Sequence, residues 1–582
     1  MPAENESRAS REDSLGGRGY VAYLRRRIDY LESLNHSTSA IGVDNATEAA
    51  QGDASEIVSP QQRLVDAAVN EVEYLSVAAM SGPKRPHQLV SNNSSFASLV
   101  TAASKMAQEE LSALSGRDYP AGNPLVNVGS LRELSVQSGH DYEYFTNNCH
   151  HNIGLIFPCL FIGVSIESFW TMTAKRTDDG TSALGDQLPE VACVAYATLS
   201  LGISSSPNRR ALKVYAYDFA AKAAALLPQV ATEACDEEII RCTILVALVL
   251  LHFRPQNPGV YLLGLAMTKA ISTGMHRRNA NSNDETTGAS LFWTLYVLDR
   301  TLSVVMDRPF HIEDGDINLE MSRVAVNPPH SHSNVNSQSF FMWTVHYAQM
   351  LSDWRCGPHV EITVCLSSLE YWYQSTEDII DVVCMAEGLQ SAAKSRLATI
   401  FDIHKEQLNC RALIQLLYHC LQRSLGEENR LRLCGRLNKD APRYISNIQL
   451  CIDKNDLAPT VLDAIDVLGA TIAYIYSCLI CSTVGKQDQG ATMARAFGIA
   501  DMKVVMTAMA VLHKIADGLT LAEDFHEFLW MLLSTIETKV QTPQVEPARS
   551  VEEDPRKALD HAMARVGVRT PAYWIELLGE CM

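Results

Sequence analysis

The sequence predicts an all-α fold, in which a large multi-helix domain follows a short coiled-coil-like helix and disordered linkers. Two patterns support this prediction. Apolar residues recur at spacings of three and four in one stretch after another, as on a helix face, and no strong alternating run indicates a strand. Hydrophobic residues make up 47% of the 582 residues, so the chain can bury a large core.

Composition limits what the chain can bind. The net charge of −19, from 48 basic and 67 acidic residues, does not suit a surface that coats DNA. The 15 cysteines are scattered and mostly sit in apolar helical patterns, which indicates reduced, buried thiols in an intracellular protein. The polar N-terminus lacks the apolar segment of a signal peptide. The apolar runs at 153–164 and 243–251 are shorter than the ~20 residues that a membrane-spanning helix needs. We expect no membrane contact.

The N-terminal part predicts one short helix beside disordered segments. Residues 1–19 are polar and are expected to be disordered. Residues 20–35 place apolar side chains at a and d positions of a heptad, which predicts a short coiled-coil or dimerisation helix. The dimerisation positions are Val21, Leu24, Ile28 and Leu31. Arg25, Arg26 and Arg27 could contact phosphates or act as a weak nuclear-import signal, although a solvated helix face is the simpler explanation.

Residues 257–320 predict two amphipathic helices with a polar gap between them. The first ends at Gly274, an expected C-cap, and His276 and Arg277 follow where a helix end favours positive charge. The second ends near Asp307, because the ring of Pro309 disfavours the helical conformation of the residue before it. An acidic loop at 313–316 comes next.

This stretch resembles the middle homology regulatory domain of fungal-specific zinc-cluster transcription factors. In that family a helix ends in G-L-H-R, and a second helix, F-W-x-L-Y-x-L-D-R-x-L-S, runs into G-R-P-x-x-I-x-D-x-D-I. Both motifs occur here in the same order and spacing, with departures at Thr268, Met275, Asp307 and 289–290. The matching scaffold residues are Gly264, Gly274, His276, Arg277, Phe292, Trp293, Asp299, Arg300, Arg308, Pro309, Asp314 and Asp316.

The resemblance implies that these residues build a scaffold and perform no chemistry. The residues taken alone favour the same interpretation, because aromatic and leucine positions at helical spacing are usually core. Asp299 and Arg300 are expected to form a structural ion pair or cap, and His276 is expected to be a helix-end histidine.

The predicted domain organisation follows the resemblance. Residues 36–138 form a linker with amphipathic helices, 139–430 the regulatory domain, and 431–540 further helices of the same domain. Within the domain, helices are predicted at 191–203, 211–227 and 238–253. Ser424 stands where the family often has proline. Residues 541–582 combine a linker with an acidic-hydrophobic end, which either recruits transcriptional machinery or docks as a terminal helix.

The family's zinc cluster has no counterpart in this sequence. The family carries six cysteines just upstream of the dimerisation helix, whereas the first cysteine here is Cys149. Either the module was lost or an upstream exon is missing. We expect no cofactor in this chain, and zinc only if such an upstream cluster exists.

Motifs of common enzyme classes are absent from the sequence. It contains no P-loop, no G-x-G-x-x-G after a strand, no H-E-x-x-H and no G-x-S-x-G. The adjacent Cys149, His150 and His151 point in different directions on a helix, so we expect no metal site there. The C-x2-C pair of Cys478 and Cys481 lies in an apolar helix and is expected to be two core thiols. We expect no catalytic residues.

The resemblance implies a nuclear regulator of metabolic or secondary-metabolite genes, active as a homodimer. Two alternatives remain open. The chain could be a regulator that lacks its own DNA contact and pairs through 20–35 with a zinc-cluster factor. It could also be a helical ligand-binding protein or enzyme unrelated to transcription. DNA contact by this chain is not supported by its residues.

Overall fold

Helices account for nearly all of the described structure. The computed structural model describes residues 93–118, 134–135, 139–154, 156–161, 169, 188–206, 209–253, 257–277, 286–319, 334–356, 361–375, 391–454, 460–484, 499–516, 521–541, 555–566 and 570–581. Within these ranges, one isolated bridge between Arg277 and Asn318 is the only pairing of extended segments. The all-α prediction is therefore confirmed. The predicted helix at 20–35, with its dimerisation positions and three arginines, lies outside the described residues.

The α-helices are numbered here in chain order. They are α1 (Asn93–Asp118), α2 (Tyr142–Cys149), α3 (Pro189–Ser204), α4 (Arg209–Glu233), α5 (Asp236–Phe253), α6 (Asn257–Ser272), α7 (Thr286–Val305), α8 (Asn334–Cys356), α9 (Ile362–Gln374), α10 (Ser391–Gln422), α11 (Glu427–Asp453), α12 (Val461–Val484), α13 (Ile499–Ala516), α14 (Leu521–Gln541), α15 (Pro555–Val566) and α16 (Ala572–Cys581). A π-helical turn spans His150–Gly154, and 3-10 turns span Pro158–Phe161 and Asp314–Asp316.

The chain divides into two units, Met1–Ala103 and Ser104–Met582. Helix α1 begins in the first unit and ends in the second, and α2 to α16 belong to the second. The three helices predicted at 191–203, 211–227 and 238–253 are present as α3, α4 and α5.

Helices α2 to α7 pack in sequence, each against its neighbours along the chain. Helix α3 begins with Pro189, whose fixed φ suits a first helical position and whose missing N–H is not needed there. Helix α5 begins with Asp236, Glu237 and Glu238, which favour the positive end of the helix dipole. At Gly202 a Cβ atom would lie 1.9 Å from the carbonyl oxygen of Phe145, so glycine is required for α2 to approach α3.

Helices α10 to α14 form a second packed group, in which α11 contacts α10, α12 and α13. The segment Leu462–Cys481 of α12 is long and apolar enough to cross a membrane, a feature that the sequence analysis missed. However, 89% of this segment is buried inside the protein, which is the burial of a core helix. Cys478 is buried there, in accord with the core-thiol interpretation, whereas Cys481 is only half-buried.

The C-terminal helix α16 packs against α12. The side chain of Trp574 is 2% exposed, and Leu577 and Leu578 are also buried. The indole lies so close to Gly469 that a Cβ atom there would be 2.9 Å from its Cζ2. Of the two alternatives for this end, the docked terminal helix is the one observed for the described part of the tail.

Candidate functional site

The end of α6 has the geometry that the sequence predicts. Gly274 adopts a positive φ of 78°, and its N–H donates to the carbonyl oxygen of Ile271 at 3.0 Å. The N–H of Asn318 donates to the carbonyl oxygen of His276 at 3.0 Å, so the acidic loop returns to the end of this helix. These contacts bring the two halves of the motif together.

His276 does not carry the positive charge expected at that helix end. Its ring is 4% exposed and lies 6.3 Å from the ring of Phe292. Burial, with a smaller contribution from Arg277, lowers the pKa of His276 to about 4. The imidazole is therefore neutral at pH 7, and the exposed Arg277 carries the charge at this position.

Arg300 lies at the centre of the motif, and its side chain is 0% exposed. Its Nη1 donates to Asp299 Oδ2 at 2.6 Å. Its Nη2 donates to Asp314 Oδ1 at 2.7 Å and to the carbonyl oxygen of Ile312 at 2.8 Å. Its Nε donates to Ser352 Oγ of α8 at 3.1 Å. One guanidinium therefore joins α7, the acidic loop and α8, and the predicted ion pair with Asp299 is confirmed.

Two aromatic rings complete the surroundings of this guanidinium. The centroids of Tyr296 and Phe310 each lie 4.2 Å from Arg300 Cζ, at cation–π distance. The hydroxyl of Tyr296 also donates to Asp314 Oδ1 at 2.9 Å. We refer to Tyr296, Asp299, Arg300, Phe310, His311 and Asp314 as the Arg300 cluster.

Asp299 is held in its ionised form by its neighbours. Burial alone would raise its pKa, but His311 and Arg300 outweigh burial and lower it. His311 contacts Asp299 twice, through ring Nδ1 at 2.5 Å and through a backbone N–H that donates at 3.2 Å. The side chain of His311 also rests on α6, because a Cβ atom at Gly264 would lie 3.0 Å from its Nε2.

The turn after α7 contains the departure from the family's glycine. Asp307 has a positive φ of 49°, a conformation that glycine adopts without strain. Arg355 of α8 donates from Nη2 to Asp307 Oδ1 at 3.3 Å and from Nη1 to the carbonyl oxygen of Ser303 at 3.0 Å. Asp307 thus combines this conformation with an ion pair to α8.

A cleft between α6 and α7 lies beside the Arg300 cluster. Its volume is about 20 Å³, which is room for one water molecule. Apolar side chains from both helices line most of it, and Asp299, Ser303 and His311 line its polar end.

The arrangement is suited to holding helices together. The groups of Asp299 and Arg300 face partners within the protein, and arginine does not exchange its proton near pH 7. Among the described residues, no three His, Cys, Asp or Glu side chains form a group that could hold a metal ion. The neutral His276 and the buried Phe292 and Trp293 belong to the core.

The structure places the predicted scaffold residues in three settings. Asp299, Arg300 and Asp314 meet in the Arg300 cluster, and Pro309 accepts a hydrogen bond from Ser303 Oγ at 3.3 Å beside it. Asp316 is exposed. Arg277 is likewise exposed, where Gly274 caps the end of α6, and the other residues line the cleft or the core around it: Gly264, His276, Phe292, Trp293 and Arg308.

Sequence reasoning missed four residues of this site. His311 and Phe310 occupy positions that the motif leaves open, and no local pattern marks them. Ser352 and Arg355 lie on α8, about fifty residues further along the chain, where only the folded structure reveals the contact. A second polar cluster, between α10 and α12, also went unpredicted, and its main pair is Arg411 with Asp466.

The chain is similar to known proteins over part of its length. A family model described as the fungal specific transcription factor domain matches residues 143–339. An uncharacterized transcriptional regulatory protein of Schizosaccharomyces pombe is 29% identical over 103 residues. That match covers 17% of this chain and 13% of the relative. No solved structure matches the chain.

Proposed function

We propose that this chain, which carries a fungal-specific transcription factor domain over residues 143–339, is a nuclear regulator of transcription. The family match is the observation that supports the proposal most directly. The relative in Schizosaccharomyces pombe, a transcriptional regulatory protein by name, points the same way over 103 aligned residues. Both point to a regulator rather than an enzyme.

The geometry of the Arg300 cluster fits a regulatory domain. It fastens α7, the acidic loop and α8 to one buried guanidinium, which suits a scaffold that holds several elements in a fixed arrangement. The target genes that we propose are metabolic or secondary-metabolite genes. This choice rests on the resemblance, because no residue names a pathway.

Transcript profiling tests the proposal. We expect deletion of the gene to change a limited set of transcripts, grouped in a metabolic or secondary-metabolite locus. A fluorescently tagged full chain should accumulate in the nucleus. Unchanged transcripts together with a tagged chain excluded from the nucleus under every growth condition tested would contradict the proposal.

The charge of the chain favours a particular mode of regulation, in which a partner protein contacts the DNA. A net charge of −19 does not suit a chain that coats DNA with its whole surface, which supports a regulator that acts through a zinc-cluster partner. Pairing would use the predicted helix at 20–35. The alternative with its own DNA contact would require a basic module that this sequence does not show.

DNA binding by the purified 582-residue chain separates these two modes. We expect weak binding without sequence preference that disappears as salt rises, because neutralised phosphates release counterions. Addition of a zinc-cluster factor that copurifies with the chain should restore selective binding. Tight, sequence-selective binding by the chain alone would contradict the partner-dependent mode and leave transcriptional regulation intact.

A further inference from the structure

Helix α9 exposes apolar side chains on one face. Tyr371 is 78% exposed, more than any other large hydrophobic residue that the structure describes, and Val364 is 57% exposed. The exposed Ser367 and Ser368 lie between them and leave a shallow hollow of about 480 Å³ along the helix. We refer to these four residues as the α9 face. Exposed apolar residues that lie together, with polar residues around them, are typical of an interaction site.

The rest of α9 is fixed to its neighbours in the fold. The ring of Trp372 stacks on that of Trp343 of α8 with centroids 4.3 Å apart, and each indole N–H donates to the carbonyl oxygen of the other residue, at 3.1 and 3.3 Å. Arg436 of α11 donates from Nη1 to Glu370 Oε2 at 2.7 Å. A helix held in this way presents the α9 face in a fixed arrangement, so a partner that binds it loses little conformational entropy.

Polar groups along this side of α9 already have partners within the helix. Ser367 Oγ donates to the carbonyl oxygen of Thr363 at 2.9 Å, and Thr363 Oγ1 donates to Glu361 Oε1 at 2.6 Å. Gln374 Nε2 donates to Glu370 Oε1 at 2.8 Å. An apolar surface can therefore cover these hydroxyls without leaving a buried donor unpaired.

The order of side chains along the α9 face suits pairing with itself. Val364 and Tyr371 lie equally far on either side of the step from Ser367 to Ser368. When two copies of α9 cross antiparallel about a two-fold axis at that step, Val364 of each copy faces Tyr371 of the other. The small serines at the crossing allow the helices to approach, and each hollow receives a bulky side chain of the other copy. This is the self-complementarity that an isologous interface requires.

Charge favours a second copy in the antiparallel orientation. The four residues of the α9 face carry no charge, although the chain has a net charge of −19. The two-fold axis places Glu361 of one copy opposite Gln374 of the other. A parallel arrangement would bring the two Glu361 carboxylates together, and like charges in an interface are unfavourable. Two acidic chains can therefore approach at this face without opposing one carboxylate to another.

We propose that the α9 face is a self-association site, at which a second copy of this chain pairs antiparallel. The contact is separate from the predicted dimerisation helix at 20–35. One short helix contributes little area beside the ~800 Å² per partner of a standard interface. The pairing is therefore weak and reversible, and it depends on the local concentration of the chain.

Sedimentation of the purified full chain at increasing concentration tests the proposal. Every sample carries Leu24→Glu and Leu31→Glu, which remove the predicted contact at 20–35. We expect monomers and dimers in reversible exchange, with a dissociation constant of about 1–100 µM. A chain that stays monomeric at every soluble concentration overturns the proposal.

Tyr371→Glu should weaken this association at least about tenfold, because it places a carboxylate in an apolar contact. Trp530→Glu is the matched control, since Trp530 of α14 is 60% exposed and the variant loses an aromatic ring and gains the same charge elsewhere. Its association should equal that of the unsubstituted face. An equal loss in both variants overturns the proposal. The positions are exposed, so the unfolding curves of these variants should coincide.

The double variant Val364→Lys with Tyr371→Glu tests the antiparallel register. Val364→Lys alone should weaken association, whereas in the double variant each lysine faces a glutamate of the other copy. We expect the double variant to associate several-fold more tightly than either single variant, and to lose this gain as salt rises. The two positions lie about 10 Å apart along one helix, so an ion pair within one chain does not produce the gain. A double variant that associates no more tightly than the single variants overturns the proposal.

Discussion

Arg300 Nη1 lies 2.6 Å from Asp299 Oδ2, so two residues adjacent in sequence form a buried ion pair. The same guanidinium also donates hydrogen bonds to Asp314 of the acidic loop and to Ser352 of α8. Asp299 compensates the charge of Arg300 in this buried site, while the other donors of the guanidinium join α7 to the acidic loop and to α8.

Arg300→Lys should therefore not behave as a conservative change. A lysine keeps the charge but cannot donate to four partners from a planar fork, so the buried Asp299 and the exposed Asp314 would both lose hydrogen bonds. We expect the free energy of unfolding to fall by about 2–4 kcal/mol, measured by chemical denaturation. Asp316→Asn is the control, because this residue of the same loop is exposed. Equal stability of the two variants would contradict the role given to Arg300.

Gly264→Ala tests whether the ring of His311 packs against α6 at Gly264. The new Cβ would lie 3.0 Å from Nε2 of a ring that Asp299 holds in place, so ring or helix must shift. We expect a loss of about 1–2 kcal/mol, although alanine alone favours a helix. Gly435→Ala of α11 is the matched control, because no atom lies within 4 Å of its new Cβ. It should gain about 0.5–1 kcal/mol. Similar changes in both variants would contradict this packing contact.

Asp307 combines a left-handed conformation with an ion pair to Arg355. Asp307→Gly removes the conformational cost and the half-exposed pair together, so we expect a change within about 1 kcal/mol. Asp307→Ala keeps the cost and loses the pair, and it should be the least stable of the three proteins. Thermal unfolding gives the order, and an alanine variant as stable as the glycine variant would contradict this account.

Ser424, which follows α10, has a backbone conformation that proline cannot adopt. It has a φ of 49°, and its N–H donates to the carbonyl oxygen of Leu421 at 3.1 Å. Proline fixes φ near −65° and has no N–H, so Ser424→Pro should lower the free energy of unfolding by more than about 1 kcal/mol. Ser424→Gly should raise it by about 0.5–1 kcal/mol. Calorimetry of the two variants checks the opposite signs.

Buried histidines predict loss of stability in mild acid. Burial lowers the pKa of His276 and of His419 to about 4, with nearby arginines contributing. In the unfolded chain each histidine binds a proton near pH 6.5, so the unfolded state holds more protons between about pH 4 and 6.5. Stability from these groups is thus present above pH 6.5 and is lost as the pH falls towards 4. His276→Gln should reduce the slope of unfolding free energy against pH, and an unchanged slope would contradict the assignment.

The helices were predictable because helical periodicity is a local property of the sequence. The residues of 257–320 by themselves predict α6, α7, the cap at Gly274 and the Asp299–Arg300 pair. The neutral state of His276 was not predictable, since burial depends on how distant helices pack. Ser352 and Arg355, like Asp463 and Asp466, pair with residues about fifty positions away, and no spacing in the sequence encodes such contacts.

Chromatin occupancy of the tagged full chain tests the central claim most directly. If this protein regulates transcription through its fungal-specific domain, it should be enriched at promoters of the genes whose transcripts change when it is deleted. Whether it reaches them directly or through a zinc-cluster partner, enrichment at those promoters should exceed that at unaffected promoters. A chain that is present in the cell but no more enriched at the affected promoters than at the unaffected ones would contradict the account.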